Sequence, residues 1–255
     1  AAYTRSSICD WGPRGQRYDE DMRALVLAVR HEEALRSNTS RGGGDTAAGA
    51  GSSVVQPHMA LGFDMPADLK LAAAASHAAA ERRMAEEATG EPAANHSALL
   101  PAYRQQFERD PSSFRIRVGY VSANIKSKTT VYMAQDLLRF HDRSRFEVHV
   151  YATTPPDTPR FLEVAMRGVD WRRKVAASVE HFHEVQGMDV FQLHKLIRAH
   201  GIHILLNWDG YSNNGVRPTG LFAMQPAPIQ IAHQEYIGTV GADYIQYMIT
   251  DPVAS

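Results

Sequence analysis

Three polar loops, each placed after an apolar stretch, hold the residues of this sequence that could do chemistry. They span residues 124–132, 207–217 and 233–241. Amides and carboxylates hydrogen-bond sugar hydroxyls or a peptide backbone, a lysine ammonium holds a phosphate, and an arginine binds a carboxylate. The loops therefore predict a site for a polar ligand or a peptide.

The second loop carries the densest set of these groups. Asn207 and Asp209 are candidates for hydrogen bonds to sugar hydroxyls or to an acceptor backbone, and Tyr211 is a candidate for stacking. Arg217 could anchor a carboxylate or close the loop. Asn, Asp and Gly are also ordinary turn formers, so a purely structural role for these residues stays open.

The elements that must position the loops alternate between strands and helices. Strands are predicted over 115–122, 146–153, 202–207, 228–232 and 247–250, with a short one ending near Val185, and helices over 131–140, 159–169 and 188–200. This alternation predicts an α/β fold, a Rossmann-like lobe with a parallel sheet whose carboxyl edge binds the ligand. No G-x-G-x-x-G follows the first strand, which argues against NAD.

The chain before this lobe has a different composition. A helical junction is predicted within 1–36, a flexible low-complexity loop over 37–53, a helical lead-in over 54–113, and the Rossmann-like lobe over 114–255. The sequence starts without Met, and we interpret it as a fragment.

Bulk charge and cysteine content argue against several classes of protein and of binding site. The net charge is −1, so we expect no nucleic-acid partner, and no apolar run is long enough to predict a membrane span. The single cysteine, Cys9, excludes an internal disulfide framework. The histidines outside the loops, including His181, His183, His194 and His200, form no compact metal-ligand motif along the chain, so no metal is expected. His203 lies within a strand pattern and is expected in the sheet.

Five segments carry a resemblance to a known family. They are Arg117-Val118-Gly119-Tyr120-Val121-Ser122, Phe146-Glu147-Val148-His149-Val150-Tyr151, Gly201-Ile202-His203-Ile204-Leu205, Phe222-Ala223-Met224-Gln225-Pro226-Ala227-Pro228-Ile229-Gln230 and Ile249-Thr250-Asp251. In this order they resemble the amino-terminal catalytic lobe of the O-linked N-acetylglucosamine transferases, and Cys9-Asp10-Trp11 looks like the family's junction after its repeat superhelix.

The resemblance implies half of a glycosyltransferase B fold, with the carboxy-terminal lobe absent from this sequence. It implies UDP-N-acetylglucosamine as donor substrate, Ser or Thr hydroxyls of intracellular proteins as acceptors, no metal cofactor, and a cytoplasmic and nuclear location. Because the second lobe holds most of the UDP-sugar in this family, we expect no sugar transfer by the isolated chain.

The same resemblance assigns residues and shows substitutions. His58 matches a histidine proposed as the proton acceptor of the acceptor hydroxyl. Asn124 stands where the family has an acid, and Thr130 is kept. Lys128 and Tyr132 replace two histidines, so Lys128 is the catalytic candidate of this loop, able to hold a phosphate but not to act as a neutral imidazole.

The third loop matches a family segment close to the donor sugar. Tyr236, Gly238 and Thr239 are kept, whereas Glu235 and Ile237 replace Gly and Pro. A carboxylate beside a diphosphate is unfavourable. Two alternatives therefore remain: a noncatalytic scaffold or peptide-binding pseudoenzyme, and an O-fucosyltransferase of the SPINDLY type.

Overall fold

The computed structural model describes residues 16–39, 55–89, 99–134, 136–212 and 220–253. The chain forms two compact units. The first takes the described residues up to Arg83 together with Gly238–Ala242, and the second takes Met84–Ile237 with Asp243 onward. Arg217, the Cys9-Asp10-Trp11 segment and residues 40–53 of the predicted loop lie outside the described residues.

Helices build the first unit. They are α1 (Gln16–Thr39), α2 (Pro57–Leu61) and most of α3 (Ala67–Thr89). Pro57 occupies the first turn of α2, where its missing N–H costs no hydrogen bond, and α3 is rich in alanine. Their core consists of Met22, Val29, Val55, Ala60, Phe63, Met65 and Leu69. Helix α1 extends three residues into the predicted 37–53 loop.

A six-stranded sheet forms the centre of the second unit. Its strands are β1 (Ile116–Ser122), β2 (Phe146–Ala152), β3 (His181–Glu184), β4 (Ile204–Asn207), β5 (Ile229–His233) and β6 (Tyr247–Ile249). They lie in the order β3-β2-β1-β4-β5-β6, and every pairing is parallel. The predicted α/β fold with a Rossmann-like parallel sheet is confirmed.

Helices follow and connect these strands. They are α4 (Leu100–Arg109), α5 (Thr129–Ala134), α6 (Pro159–Val164), α7 (Trp171–Ser178) and α8 (Val190–Ala199), with a short 3-10 helix at Leu137–Phe140. The helix predicted over 131–140 is thus two shorter helical pieces. Helix α7 was not predicted, because it buries only Arg172 and Val175 and has no apolar stripe. None of the described helices has the length and apolar character needed to cross a bilayer.

The sheet has two chemically different faces. Val118 and Tyr120 of β1 pair with Val148 and Val150 of β2, and all four side chains lie in one hydrophobic cluster. Ile204 of β4 is only partly buried and packs against this cluster. Since side chains alternate along a strand, the residues between the valines of β2 project to the opposite face.

The core face gives a test of the fold. Val148→Ala should lower the free energy of unfolding by about 2 kcal/mol, because it removes buried methyl groups and leaves a cavity. Val164→Ala is the matched control, since Val164 is 74% exposed whereas Val148 is fully buried. Urea titration should show less than about 0.5 kcal/mol for the control. Equal losses in the two variants would contradict this packing.

Candidate active site

The candidate site lies where the strand order of the sheet reverses. From β1 the order runs through β2 to β3 on one side and through β4 to β6 on the other. The connections leaving β1 and β4 therefore diverge, which opens a crevice at the carboxyl ends of these two strands. The loops after β1, β4 and β5 all begin at this edge, because the strands are parallel and adjacent.

Asp209 links the loops that follow β4 and β1. Its Oδ1 accepts a hydrogen bond from Ser122 Oγ at 2.8 Å and another from Asn124 Nδ2 at 3.1 Å. Its Oδ2 accepts one from the backbone N–H of Ala123 at 2.6 Å. The N–H of Asn124 in turn donates to Ser122 Oγ at 2.9 Å. Asp209 thus fixes the first loop by internal contacts, and its hydrogen bonds to sugar hydroxyls stay a prediction.

The environment of Asp209 changes its proton affinity. Burial raises the pKa of Asp209 to about 6, while the hydrogen bonds from Ala123, Ser122 and Asn124 and the charge of Lys128 act in the opposite direction. Burial, and next the nearby Asp209, also raises the pKa of Glu235. Two carboxylates and one ammonium therefore influence each other at this edge.

Gly210 permits the third loop to approach the second. Its φ is +53°, and a Cβ at this position would lie 2.2 Å from Cγ of Tyr236. The N–H of Gly210 donates to Asn207 Oδ1 at 3.0 Å, which closes the turn after β4. The rings of Tyr211 and Tyr236 meet edge to face, with centroids 6.0 Å apart. Tyr211 is buried, and its stacking on a ligand stays a prediction.

The first loop presents the groups that remain available at this edge. The side chain of Lys128 is exposed and that of Thr130 is partly exposed, at the start of α5. The Oδ1 of Asn124 is buried and has no hydrogen-bond partner within the described part of the chain. Because Nδ2 of Asn124 faces a carboxylate, the amide orientation leaves this oxygen as an acceptor for a ligand donor.

The structure brings together six of the predicted site residues in the second unit: Asn124, Lys128, Asn207, Asp209, Tyr211 and Tyr236. Thr130 lies two residues after Lys128 in the same unit. His58, Gly238 and Thr239 belong to the first unit, where His58 is exposed on α2 and Thr239 Oγ1 accepts from the N–H of Gly241 at 3.1 Å. The role predicted for Arg217 stays a prediction.

The sequence analysis missed two features of the second unit. Ser122 belongs to the Asp209 network, and its place as the last residue of a buried strand could have indicated this. The histidines at 149, 181, 183 and 200, three of them from β2 and β3, lie against one another, although they form no motif along the chain. The spacing His181-x-His183 was the available signal, because it puts both side chains on one face of a strand.

Comparison with known proteins places this site in a family. The model of glycosyl transferase family 41 matches residues 8–255. The chain belongs to this family. A probable UDP-N-acetylglucosamine--peptide N-acetylglucosaminyltransferase, SEC of Arabidopsis thaliana, is 32% identical to the family 41 chain over 253 residues. The predicted resemblance to the O-linked N-acetylglucosamine transferases is thereby confirmed.

A second relative in the same group is similar to this chain over nearly its whole length. The UDP-N-acetylglucosamine--peptide N-acetylglucosaminyltransferase of Caenorhabditis elegans is 30% identical over 97% of the chain. The alignments cover 99% of this chain and 22% of the Arabidopsis protein, and 18% of the Caenorhabditis protein. This family 41 chain thus spans about a fifth of these relatives. A solved structure of a Thermobaculum terrenum O-GlcNAc transferase mutant aligns with 76% of this chain and 36% of its own, at 23% identity and a TM-score of 0.47.

The buried carboxyl of Asp209 predicts a pH dependence of stability. The folded protein keeps this proton up to about pH 6, whereas an unfolded aspartate loses it near pH 3.9. The folded state therefore binds more protons in this window, so stability falls as pH rises from about 4 to 6 and the effect is constant above. We expect about 3 kcal/mol from Asp209, absent in Asp209→Asn.

Urea titrations of both proteins between pH 4 and 7.5 measure this effect as the difference between their free energies of unfolding. Taking the difference removes the contribution of other carboxyl groups, such as Glu147 and Glu180, whose pKa values are lowered and whose slopes have the opposite sign. A difference that does not change with pH would contradict the raised pKa of Asp209.

The close approach at Gly210 predicts a large effect of one methyl group. Gly210→Ala should destabilise the protein by several kcal/mol, because it adds a clash with Tyr236 to the cost of a positive φ. Gly187→Ala is the control, since Gly187 has a φ of +84° but nothing within 4 Å of the added Cβ. Thermal unfolding should show a loss of about 1 kcal/mol for the control. Equal losses would exclude the contact with Tyr236 as the cause.

Proposed function

We propose that this chain is the amino-terminal catalytic lobe of a protein O-linked N-acetylglucosamine transferase, which moves the sugar from UDP to Ser or Thr hydroxyls of proteins. The observation that carries the proposal is the family 41 match over residues 8–255, because it covers the whole crevice described above. The names of the relatives in Arabidopsis and Caenorhabditis give the donor as UDP-N-acetylglucosamine and the acceptor as a peptide.

The proposed reaction requires two groups from the protein, a proton acceptor and a positive charge. The acceptor oxygen forms a bond to the anomeric carbon of the sugar, with inversion, while the bond from that carbon to the diphosphate oxygen of UDP breaks. The acceptor gives up one proton, and negative charge develops on the leaving UDP. A group that takes the proton and a positive charge near the diphosphate both lower the barrier.

Lys128 is the proposed positive charge at the diphosphate. Its ammonium is exposed at the crevice, and its loop is held by the network of Asp209. A lysine serves as a point charge for phosphate groups. Asn124 Oδ1 is the proposed acceptor for a sugar hydroxyl, and Thr130 is a proposed donor in the same loop. No metal is part of the proposed reaction, since Lys128 supplies the charge.

His58 is the proposed proton acceptor for the acceptor hydroxyl. His58 is exposed, and an imidazole accepts a proton near neutral pH, as the acceptor hydroxyl requires. Gly238 and Thr239 are proposed to line the donor sugar. A second lobe that holds most of the UDP-sugar, upstream helical repeats, and a cytoplasmic and nuclear location belong to the same proposal, which concerns the longer protein.

One observation favours a second candidate, a noncatalytic peptide-binding scaffold. Burial and the nearby charge of Asp209 raise the pKa of Glu235, and a second negative charge at this edge opposes binding of a diphosphate. In the SPINDLY protein of Petunia hybrida, the matching region is shorter, 27% identical over 150 residues. An O-fucosyltransferase is therefore the less favoured alternative.

The transfer assay that tests this proposal uses the full-length protein, UDP-N-acetylglucosamine labelled in the sugar, and a mixed Ser/Thr peptide library. We expect label in peptide, and Lys128→Ala should lower kcat/KM by about 10- to 1,000-fold, because it removes charge stabilisation of the leaving group. Lys126→Ala is the matched control, two residues away in the same loop, and should change kcat/KM less than about twofold.

Two outcomes would overturn the proposal. If the full-length protein transfers no sugar but still binds peptide, the noncatalytic scaffold is the supported function. Transfer from a labelled nucleotide-fucose donor instead of UDP-N-acetylglucosamine would favour the fucosyltransferase.

Lys128→His adds a direct comparison with the family's residue. A rise in transfer would identify a weakened enzyme, and continued inactivity would favour the scaffold.

A further inference from the structure

Four histidines lie together on the face of the sheet opposite the hydrophobic core. His149 comes from β2, His181 and His183 from β3, and His200 from the residue that ends α8. We call these four residues the histidine face. The register pairs His149 with His181 and places Tyr151 beside His183, so the alternation of two parallel strands assembles the group. It lies along the strands, not at the carboxyl edge that forms the candidate active site.

Two of these rings already point nitrogen atoms at each other. His149 Nδ1 lies 3.1 Å from His183 Nε2, with the rings 17° from parallel. In a tetrahedral zinc site, two nitrogen ligands at about 2.0–2.1 Å from the metal are about 3.3–3.4 Å apart. A metal ion could therefore replace the hydrogen bond between these atoms with little movement of either ring.

Glu147 orients His149 for this role. The carboxylate oxygen Oε1 lies 3.2 Å from His149 Nε2, so the proton of His149 is on Nε2 and the lone pair is on Nδ1. In metal sites, a ligating histidine commonly donates its other ring N–H to a carboxylate in this way. Burial lowers the pKa of His149 to about 4 and that of His183 to about 4, so both imidazoles are neutral at neutral pH.

His200 completes the group. Its ring stacks on that of His183 with centroids 4.5 Å apart, and its Nδ1 lies 2.8 Å from the hydroxyl oxygen of Tyr151. When Nδ1–H of His200 donates to this oxygen, the lone pair lies on Nε2. One ligand atom from each of His149, His183 and His200 lies within 4.8 Å of the other two.

We propose that His149, His183 and His200 bind a first-row transition-metal ion of the Zn²⁺ class, with Glu147 as a positioning residue and solvent as the remaining ligand. Three neutral imidazoles are the donor set that Zn²⁺, Cu²⁺, Ni²⁺ and Co²⁺ prefer over Mg²⁺ or Ca²⁺. Such an ion would tie β3, the edge strand of the described sheet, to the end of α8.

Two arginines and His181 surround the carboxylate of Glu147. Glu147 Oε2 lies 3.4 Å from an Arg115 nitrogen and 3.5 Å from an Arg117 nitrogen. Burial lowers the pKa of His200, and the charges of His181 and Arg117 lower it further. The second carboxylate oxygen thus neutralises the arginines while the first orients His149. His181 Nε2 lies 3.0 Å from Oε1 of the same carboxylate. Because this contact uses Nε2, we treat His181 as a neighbour of the site and not as one of its ligands.

The test is a titration of the purified full chain with Zn²⁺ alone, followed by calorimetry, and with Co²⁺ alone, followed by visible absorption. Cys9→Ser serves as the background, so that no thiolate contributes. We expect one equivalent of Zn²⁺ to bind, a rise in melting temperature that saturates at one equivalent, and the absorption bands of cobalt bound by nitrogen ligands.

The variants decide whether the histidine face is responsible. His183→Gln and His200→Gln should each weaken Zn²⁺ binding at least about 100-fold, and Glu147→Gln about 10- to 100-fold. His194→Gln is the matched control, because His194 is also a half-buried histidine of α8 but lies outside the cluster, and it should bind as the parent does.

Circular dichroism of the metal-free variants tests whether they are folded. This control distinguishes a loss of Zn²⁺ binding from a loss of structure. The proposal is overturned if the parent binds no Zn²⁺ with saturation, or if His183→Gln and His200→Gln bind it as tightly as the control does. A purely structural stacking of the rings would lower the melting temperature of the variants without any effect of Zn²⁺ on the parent.

Discussion

The buried carboxylate of Asp209 is the interaction on which the candidate site depends. It bridges the loops after β1 and β4, which the reversal of strand order would otherwise let diverge. Three internal hydrogen-bond donors offset part of the cost of burying this carboxyl, and burial still raises its pKa to about 6. The shape of the first loop, and with it the position of Lys128, follows from this bridge.

The same edge carries an electrostatic conflict. The raised pKa values of Asp209 and Glu235 indicate that negative charge is poorly tolerated where the proposed reaction would bring more of it. Lys128 offsets part of this charge. The balance between one ammonium and two carboxyls, rather than the fold, therefore distinguishes an enzyme from a scaffold that keeps the family architecture.

Alternation along the strands gives the sheet its two roles. One face of β2 places Val148 and Val150 in the hydrophobic core. The other face presents Glu147, His149 and Tyr151 to β3 and to the end of α8. A single strand of seven residues thus contributes to the core of the lobe and to a group of polar ligands, with no residue shared between the two.

The sequence predicted the fold because the relevant signals are local. Apolar strands separated by helices determine a parallel sheet, and all six strands are present close to the predicted bounds. The loops of the site were also identified, because polar residues follow each strand. The partners of those residues were not predictable: whether Asp209 meets a sugar or the N–H of Ala123 depends on contacts between segments more than 80 residues apart. The histidine face also depends on contacts between separate segments, since His149 and His183 are 34 residues apart.

A structure of the full-length protein with bound UDP tests the central claim, that the loops after β1, β4 and β5 form the donor-proximal edge of a glycosyltransferase site. The account predicts the diphosphate at the carboxyl edge of the sheet, with Lys128 Nζ within hydrogen-bond distance of a phosphate oxygen. Binding of UDP away from this edge, with Lys128 in solvent, would contradict it.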